Sequence, residues 1–260
     1  MKEKAVRPMS VRPLPLKYAV FFFGIPMALI YFTVYWLMPR LAEWGIPGMV
    51  SANLCITGPL VLMLAAAIFA YRMEGNPMTW KAFRERYRLG RISGKLWLWS
   101  LGLLVFSFLA EQVMSFTTDM LLKIEFFQPP DFLPEMLDPR VDPSTLKDFM
   151  GVPLEGAWWI LPMFVGILFF NIFGEELWWR GYILPRQELA HGRYAWIFHG
   201  ILWTLFHFFW KWDLFVLLPT CLALSFVAQK TKSTWPGIIV HFLLNGLALI
   251  PLTLGVLGKL

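Results

Sequence analysis

Charge is scarce in this sequence: only 15% of its 260 residues are Asp, Glu, Lys or Arg, while 58% are hydrophobic. Soluble domains carry about 25% charged and about 45–50% apolar residues. The deficit excludes an ordinary water-soluble domain, because only lipid can cover that much apolar side chain. Cysteine is scarcer still. Cys55 and Cys221 both lie inside apolar runs, which excludes a disulfide framework and a cysteine metal site and leaves two small buried hydrophobes. A small-residue cleavage site is missing behind the basic N terminus, so the first apolar run is expected to remain as a signal anchor. Internal repeats and low-complexity tracts are also missing, and one integral membrane domain over residues 1–260 is expected. The formal charge of +6 does not point to nucleic acid. The basic residues sit in short segments between apolar runs, where lipid headgroups and membrane insertion account for them.

What the sequence has in abundance is long apolar runs. A bilayer-spanning helix needs about 20 mostly apolar residues. Tyr18–Met38, Met49–Tyr71 and Leu96–Phe116 meet that length, and the shorter runs Trp158–Phe173, Tyr194–Trp210, Leu214–Ala228 and Ile238–Leu257 follow. The expected fold is therefore all-α, a polytopic transmembrane helical bundle of about seven membrane helices. Thr79–Arg88 mixes Trp80, Phe83 and Tyr87 with arginines, which suits either a short interfacial helix or a basic loop. Basic residues cluster in 1–17 (Lys2, Lys4, Arg7, Arg12, Lys17), in 72–95, at Arg186 and Arg193, and at Lys230 and Lys232. With seven spans these segments share one face, and the acidic segment 117–155 takes the other. The positive-inside rule then predicts a cell (inner) membrane protein with a cytoplasmic N terminus. The proline-broken segment 126–142 is expected to be an external loop, in part re-entrant.

Ionisable side chains inside such runs cost about 2.5–3.5 kcal/mol on insertion scales and are functional suspects. Glu175-Glu176 with Arg180, His207, and His241 with Asn245 stand out. Glu176 and Arg180 are four apart and can pair on one helix face, which favours a structural charge pair there. Asn171, Glu175 and Trp179 form the neighbouring stripe, leaving Glu175 to face something else or simply to cap a helix at the interface. His207, among aromatics in WTLFHFFW, could be a hydrogen-bonded packing residue. His241 and Asn245 share a face, and plain helix-to-helix hydrogen bonding is their bland explanation. His199, His191 and Glu111 read as packing, loop or boundary residues.

One carboxylate, two histidines and an amide on three apolar helices fit two chemistries. In the first, Glu175 is a general base and His207 helps to hold and deprotonate a water, while His241 and Asn245 donate to a tetrahedral oxyanion. In the second, Glu175, His207 and His241 bind one zinc ion with an open water position. The spacing is not HExxH, so such a metal site would be assembled across helices. The residues leave the cofactor open between none and a single Zn.

These segments resemble a known family. EELWWRGYILPRQE at 175–188 is similar to its first motif, two glutamates followed after three residues by an arginine. WTLFH at 203–207 sits where phenylalanine, three residues and histidine are expected, and HFLLN at 241–245 matches histidine, three residues and asparagine. The family is that of CAAX-prenyl-protease and bacteriocin-processing intramembrane proteases. The match covers roughly 155–250, the expected catalytic core. The resemblance implies Glu175 as the water-activating base, Glu176 and Arg180 as support, His207 as partner, and His241 with Asn245 as oxyanion donors. Trp203 departs from the motif's phenylalanine, which bears on pocket shape more than on chemistry. The implied activity is an intramembrane endopeptidase acting on a membrane-associated peptide or protein, with membrane lipid as its surroundings. A catalytically silent scaffold of the same fold is the alternative, and a proton-coupled transporter a further one. For Glu175 and His207 to meet, the fourth helix must continue through about Leu184.

Overall fold

The computed structural model describes residues 11–142, 145 and 147–260. The basic residues Lys2, Lys4 and Arg7 lie outside the described residues. The fold is helical throughout, as apolar runs in lipid require, since each span must satisfy its own backbone hydrogen bonds. Helix α1 covers Leu16–Glu43, α2 Gly48–Met73 and α4 Gly94–Met114, with the short α3 at Trp80–Arg86 and α5 at Phe116–Leu122. Helix α6 starts as Ile160–Glu176, passes through a wide turn at Leu177–Ile183 and ends as Leu184–His191. Then come α7 (Ala195–Phe206), α8 (Leu214–Thr231), α9 (Trp235–Gly246) and α10 (Leu249–Val256).

Five stretches among the described residues are long and apolar enough to cross a bilayer, and the fourth, Ile160–Thr231, is 72 residues long. That stretch holds three of the runs read from the sequence, joined by tight turns at Gly192–Tyr194 and His207–Asp213. Among the described residues the exception to helix is one small hairpin. Asp148–Phe149 (β1) pairs antiparallel with Val152–Pro153 (β2), and Met150 and Gly151 between them both have positive φ, as a two-residue hairpin turn demands.

Among the described residues three wide π turns occupy Thr33–Leu37, Asn53–Thr57 and Leu177–Ile183. Each ends two residues before a proline (Pro39, Pro59 and Pro185). A proline lacks its N–H and its ring pushes away the carbonyl four residues earlier, so the helix widens there. Two of the freed carbonyls have new partners. Thr33 Oγ1 donates to Cys55 O at 2.6 Å, and Arg86 Nη1 donates to Gly181 O at 2.9 Å. Pro185 thus shapes α6 where the first motif lies, and the freed Gly181 carbonyl is not left bare in an apolar layer.

Small residues let the helices approach closely. A Cβ on Gly174 would lie 2.5 Å from Leu60 O of α2, and one on Gly200 would lie 2.8 Å from Leu222 Cα of α8. The outward faces are apolar, with Phe21, Ile25, Leu98, Leu101, Val113 and Phe69 all exposed. Glu175, Glu176, Arg180, Gln187 and His199 are buried. Charge inside and hydrocarbon outside is the pattern of a bundle solvated by lipid.

Basic residues from three of the segments expected on one face, 72–95, Arg186 and Lys232, meet at one end of the bundle. Glu74 accepts from Arg86 at 2.6 Å and from Arg186 at 3.2 Å, and Arg88 grips Glu188 with two bonds of 2.7 and 2.9 Å. Lys232 joins Glu188 at 2.5 Å. Segment 79–88 is helical over Trp80–Arg86, and Thr79 Oγ1 caps it by accepting from Ala82 N at 3.3 Å.

Candidate active site

Helix α6 carries the first motif at its middle. Glu175 is 15 residues from Ile160 and 16 from His191, roughly 23 Å from either end at about 1.5 Å per residue. The continuation beyond Leu184 that brings Glu175 towards His207 is therefore present. His207 sits at the C-terminal end of α7, where the helix tightens into a 3₁₀ turn. Helix α9 reaches the site because Gly237 lets it lie on α6: a Cβ at Gly237 would collide with the Glu176 carboxylate.

Glu175 is held at both oxygens. Asn171 Nδ2, one turn earlier, donates to Oε1 at 2.9 Å, and Trp203 Nε1 of α7 donates to Oε2 at 2.8 Å. Both partners are neutral donors and complement a carboxylate, which only accepts. His207 Nε2 stands 3.9 Å from the same Oε2. His207 Nδ1 faces Trp203 O at 2.9 Å. A carbonyl only accepts, so Nδ1 carries a proton, and in the neutral ring Nε2 then turns a lone pair towards Glu175. Two acceptors 3.9 Å apart are spaced for one bridging water about 2.8 Å from each.

Glu176 has different company. Arg180 Nη1 lies 3.0 Å away and His241 Nδ1 3.1 Å away, both on Oε1. The Arg180 guanidinium also lies over the Trp203 ring, 3.3 Å from its centroid. Glu176 and Arg180 are 0% and 1% exposed, so this is a fully buried charge cluster. Asn245 Nδ2 donates to Asn171 Oδ1 at 2.7 Å, which leaves its second amide hydrogen unused by that bond.

Glu175, His207, His241 and Asn245 line one cavity of about 780 Å³. It extends between α4, α5 and α8, and Met136, Leu137 and Pro139 of the 126–142 segment cover part of it. Glu111, Asp119 and Asp213 join Glu175 in its lining, and among the described residues no Lys or Arg lines it. Glu111, expected to be a packing or boundary residue, accepts from Thr220 at 3.3 Å on that wall. His199 pairs with Gln187 at 2.6 Å and is buried away from the cavity lining, as a packing residue.

Three contacts go beyond what the spacing specified. His241 contacts Glu176, not Glu175, because packing at Gly237 sets α9 against that side of α6. Trp203 alters more than pocket shape, since its N–H reaches the Glu175 carboxylate. Asn171, seen in the sequence only as part of a stripe, links Glu175 to Asn245. The fourfold spacings 171/175 and 203/207 were the available signals for these contacts, but a spacing names no partner on another helix. Nδ1 of His207 and of His241 is held by Trp203 O and Glu176 respectively, which leaves Nε2 of each ring for the cavity. Among the described residues no three His, Cys, Asp or Glu side chains converge as a metal site.

No curated protein and no solved structure matches the chain. Residues 157–247, from the start of α6 to the end of α9, match the family model for Rce1-like type II CAAX prenyl endopeptidases. Its boundaries enclose all three motifs and every residue that holds Glu175. The chain is thus a helical multi-pass membrane protein that, over residues 157–247, is similar to the CAAX-protease family, whose general activity is that of an intramembrane endopeptidase.

Proposed function

We propose that the protein hydrolyses a peptide bond in a membrane-associated peptide or protein by a water that Glu175 and His207 activate, without a metal step. The observation that carries this is the 3.9 Å gap between Glu175 Oε2 and His207 Nε2 on the wall of a cavity of about 780 Å³ shared with His241 and Asn245. A water in that gap donates one hydrogen to each acceptor. As it attacks the scissile carbonyl, its proton passes to Glu175. The tetrahedral oxyanion accepts from the free Asn245 amide hydrogen and from His241. The proton on Glu175 then goes to the leaving amine as the C–N bond breaks.

His241 can donate to an oxyanion when both ring nitrogens are protonated, one facing Glu176 and the other facing the cavity. Glu176 and Arg180 act as support, fixing His241 and the Trp203 ring.

Residues 155–250 are the proposed catalytic core of a single membrane domain, with α1, α2 and α4 completing the cavity and its lipid-facing wall. The joined basic segments support an inner-membrane orientation with the N terminus and the Glu74/Arg86/Arg186 end on the cytoplasmic side. Membrane lipid and the substrate are the partners, and nucleic acid has no part.

The test is cleavage of two internally quenched peptides, one ending in a farnesylated CAAX sequence and one unlipidated leader-type peptide, by purified protein in nanodiscs. Glu175→Gln is expected to lose about 100-fold or more of the rate with gel-filtration behaviour unchanged. A chelator is expected to leave the wild-type rate intact. Wild-type rates from Glu175→Gln, or abolition by the chelator, overturn this mechanism. A wild-type protein that cleaves neither peptide favours the scaffold.

A further inference from the structure

We propose that Trp203 is a positioning residue of this site, whose indole N–H and backbone carbonyl together set Glu175 and His207 face to face. The inference rests on the reading of Glu175 as the water-activating base and adds a residue that the family's motif, with phenylalanine at this place, does not assign.

Trp203 is 3% exposed and touches four of the six candidate residues. Its Nε1 donates to Glu175 Oε2 at 2.8 Å, the same oxygen that stands 3.9 Å from His207. Its carbonyl accepts from His207 Nδ1 at 2.9 Å. Its ring receives the Arg180 guanidinium at 3.3 Å and lies 6.0 Å from the His241 ring. Three consequences follow from these contacts.

First, a carboxylate bound at one oxygen turns freely about its last torsion, whereas one bound at both is fixed in plane. Asn171 holds Oε1, and Trp203 supplies the second fixed point. Second, the carbonyl sets the His207 tautomer, so that Nε2 offers a lone pair across the gap. Third, the ring screens the Arg180 charge from the cavity. Phenylalanine at 203 would keep the carbonyl contact and much of the stacking surface, and it would lose only the donor. Glu175 Oε2 would then be left without that bond in a buried setting, and hydrogen bonds to charged groups are worth about 1.5–3 kcal/mol.

The experiment needs no substrate. Dicyclohexylcarbodiimide, a membrane-soluble reagent, reacts with carboxyl groups that carry their proton. Labelling at Glu175 is read by mass spectrometry of the intact protein's peptides as a function of pH, in nanodiscs. Three proteins are compared: wild type, Trp203→Phe, and a protein with β-(3-benzothienyl)alanine at 203, which has the shape of tryptophan with sulfur in place of N–H. Removal of the donor weakens the ionised form, so Glu175 keeps its proton to higher pH. The expected result is a labelling midpoint raised by about one to two pH units in both variants. In a cleavage assay both would lower kcat with little change in KM. If the benzothienyl protein labels like wild type while Trp203→Phe shifts, Trp203 acts through packing and the proposal is overturned. If neither shifts, Trp203 is not coupled to Glu175 and the proposal is again overturned. A normal shift without cleavage of any peptide would leave the positioning intact and count against the peptidase reading instead.

Discussion

Glu175 and Glu176 are neighbours in sequence and opposites in surroundings. On one side of α6, Glu175 meets only neutral donors, Asn171 and Trp203, and opens onto a cavity. On the other side, Glu176 is enclosed by Arg180, His241 and the backbone of Gly237. Neutral donors orient a carboxylate and leave its negative charge available to a water. Charged partners neutralise it, and burial then makes it costly to disturb. The difference separates a group that can do chemistry from one that holds the helices in place, within a single dipeptide.

Substitutions can break this contrast, and the expected effects fall into a clear order. Glu175→Gln should abolish cleavage, by about 10²–10⁴-fold, while thermal unfolding in detergent stays at or above the wild-type temperature. Glu176→Gln should do the reverse in kind: it leaves Arg180 and His241 without their anion, which costs about 3–5 kcal/mol for a broken buried pair and shows as a lowered unfolding temperature. Equal unfolding temperatures for the two variants would erase the contrast. Asn245→Ala should reduce kcat by about 10²-fold, the effect of losing one oxyanion donor, with unfolding little changed. A rate unaffected by that substitution would remove Asn245 from the site. Gly237→Ala forces a methyl into the Glu176 carboxylate and should destabilise by about 1–3 kcal/mol. If Gly237→Ala unfolds like wild type, α9 is not held against Glu176 as described. The smallest effect belongs to the far end of the bundle. Arg88→Ala removes a partly buried pair with Glu188 and should cost about 1 kcal/mol or less, with cleavage unchanged.

Much of the architecture was legible in the residues because lipid imposes a simple rule. Apolar runs become spans, and polar groups within them mark what faces inward. The pairing of Glu176 with Arg180 and the separation of Glu175 from them followed from helical spacing alone. Contacts between helices were not legible. That His241 would meet Glu176 depends on how closely α9 approaches at Gly237, and that Trp203 would reach Glu175 depends on the rotation of α7 about its axis. Helical periodicity contains neither quantity. The π turn at Leu177–Ile183 was hidden for a similar reason, although Pro185 marks it once the freed Gly181 carbonyl and its partner Arg86 are seen. The short β1–β2 hairpin lies in the acidic segment 117–155, beyond the proline-broken stretch 126–142. The acids Glu111, Asp119 and Asp213 gather with Glu175 only when α4, α5 and the 207–213 turn fold against one another.

The convergence of three helices on one water is tested most directly by a cryo-electron microscopy map of the protein in nanodiscs, at a resolution that shows ordered solvent. The account predicts a water about 2.8 Å from both Glu175 Oε2 and His207 Nε2, with the Asn245 amide facing the same space. A Glu175 side chain turned away from His207, or a gap closed by packed hydrocarbon, would contradict it.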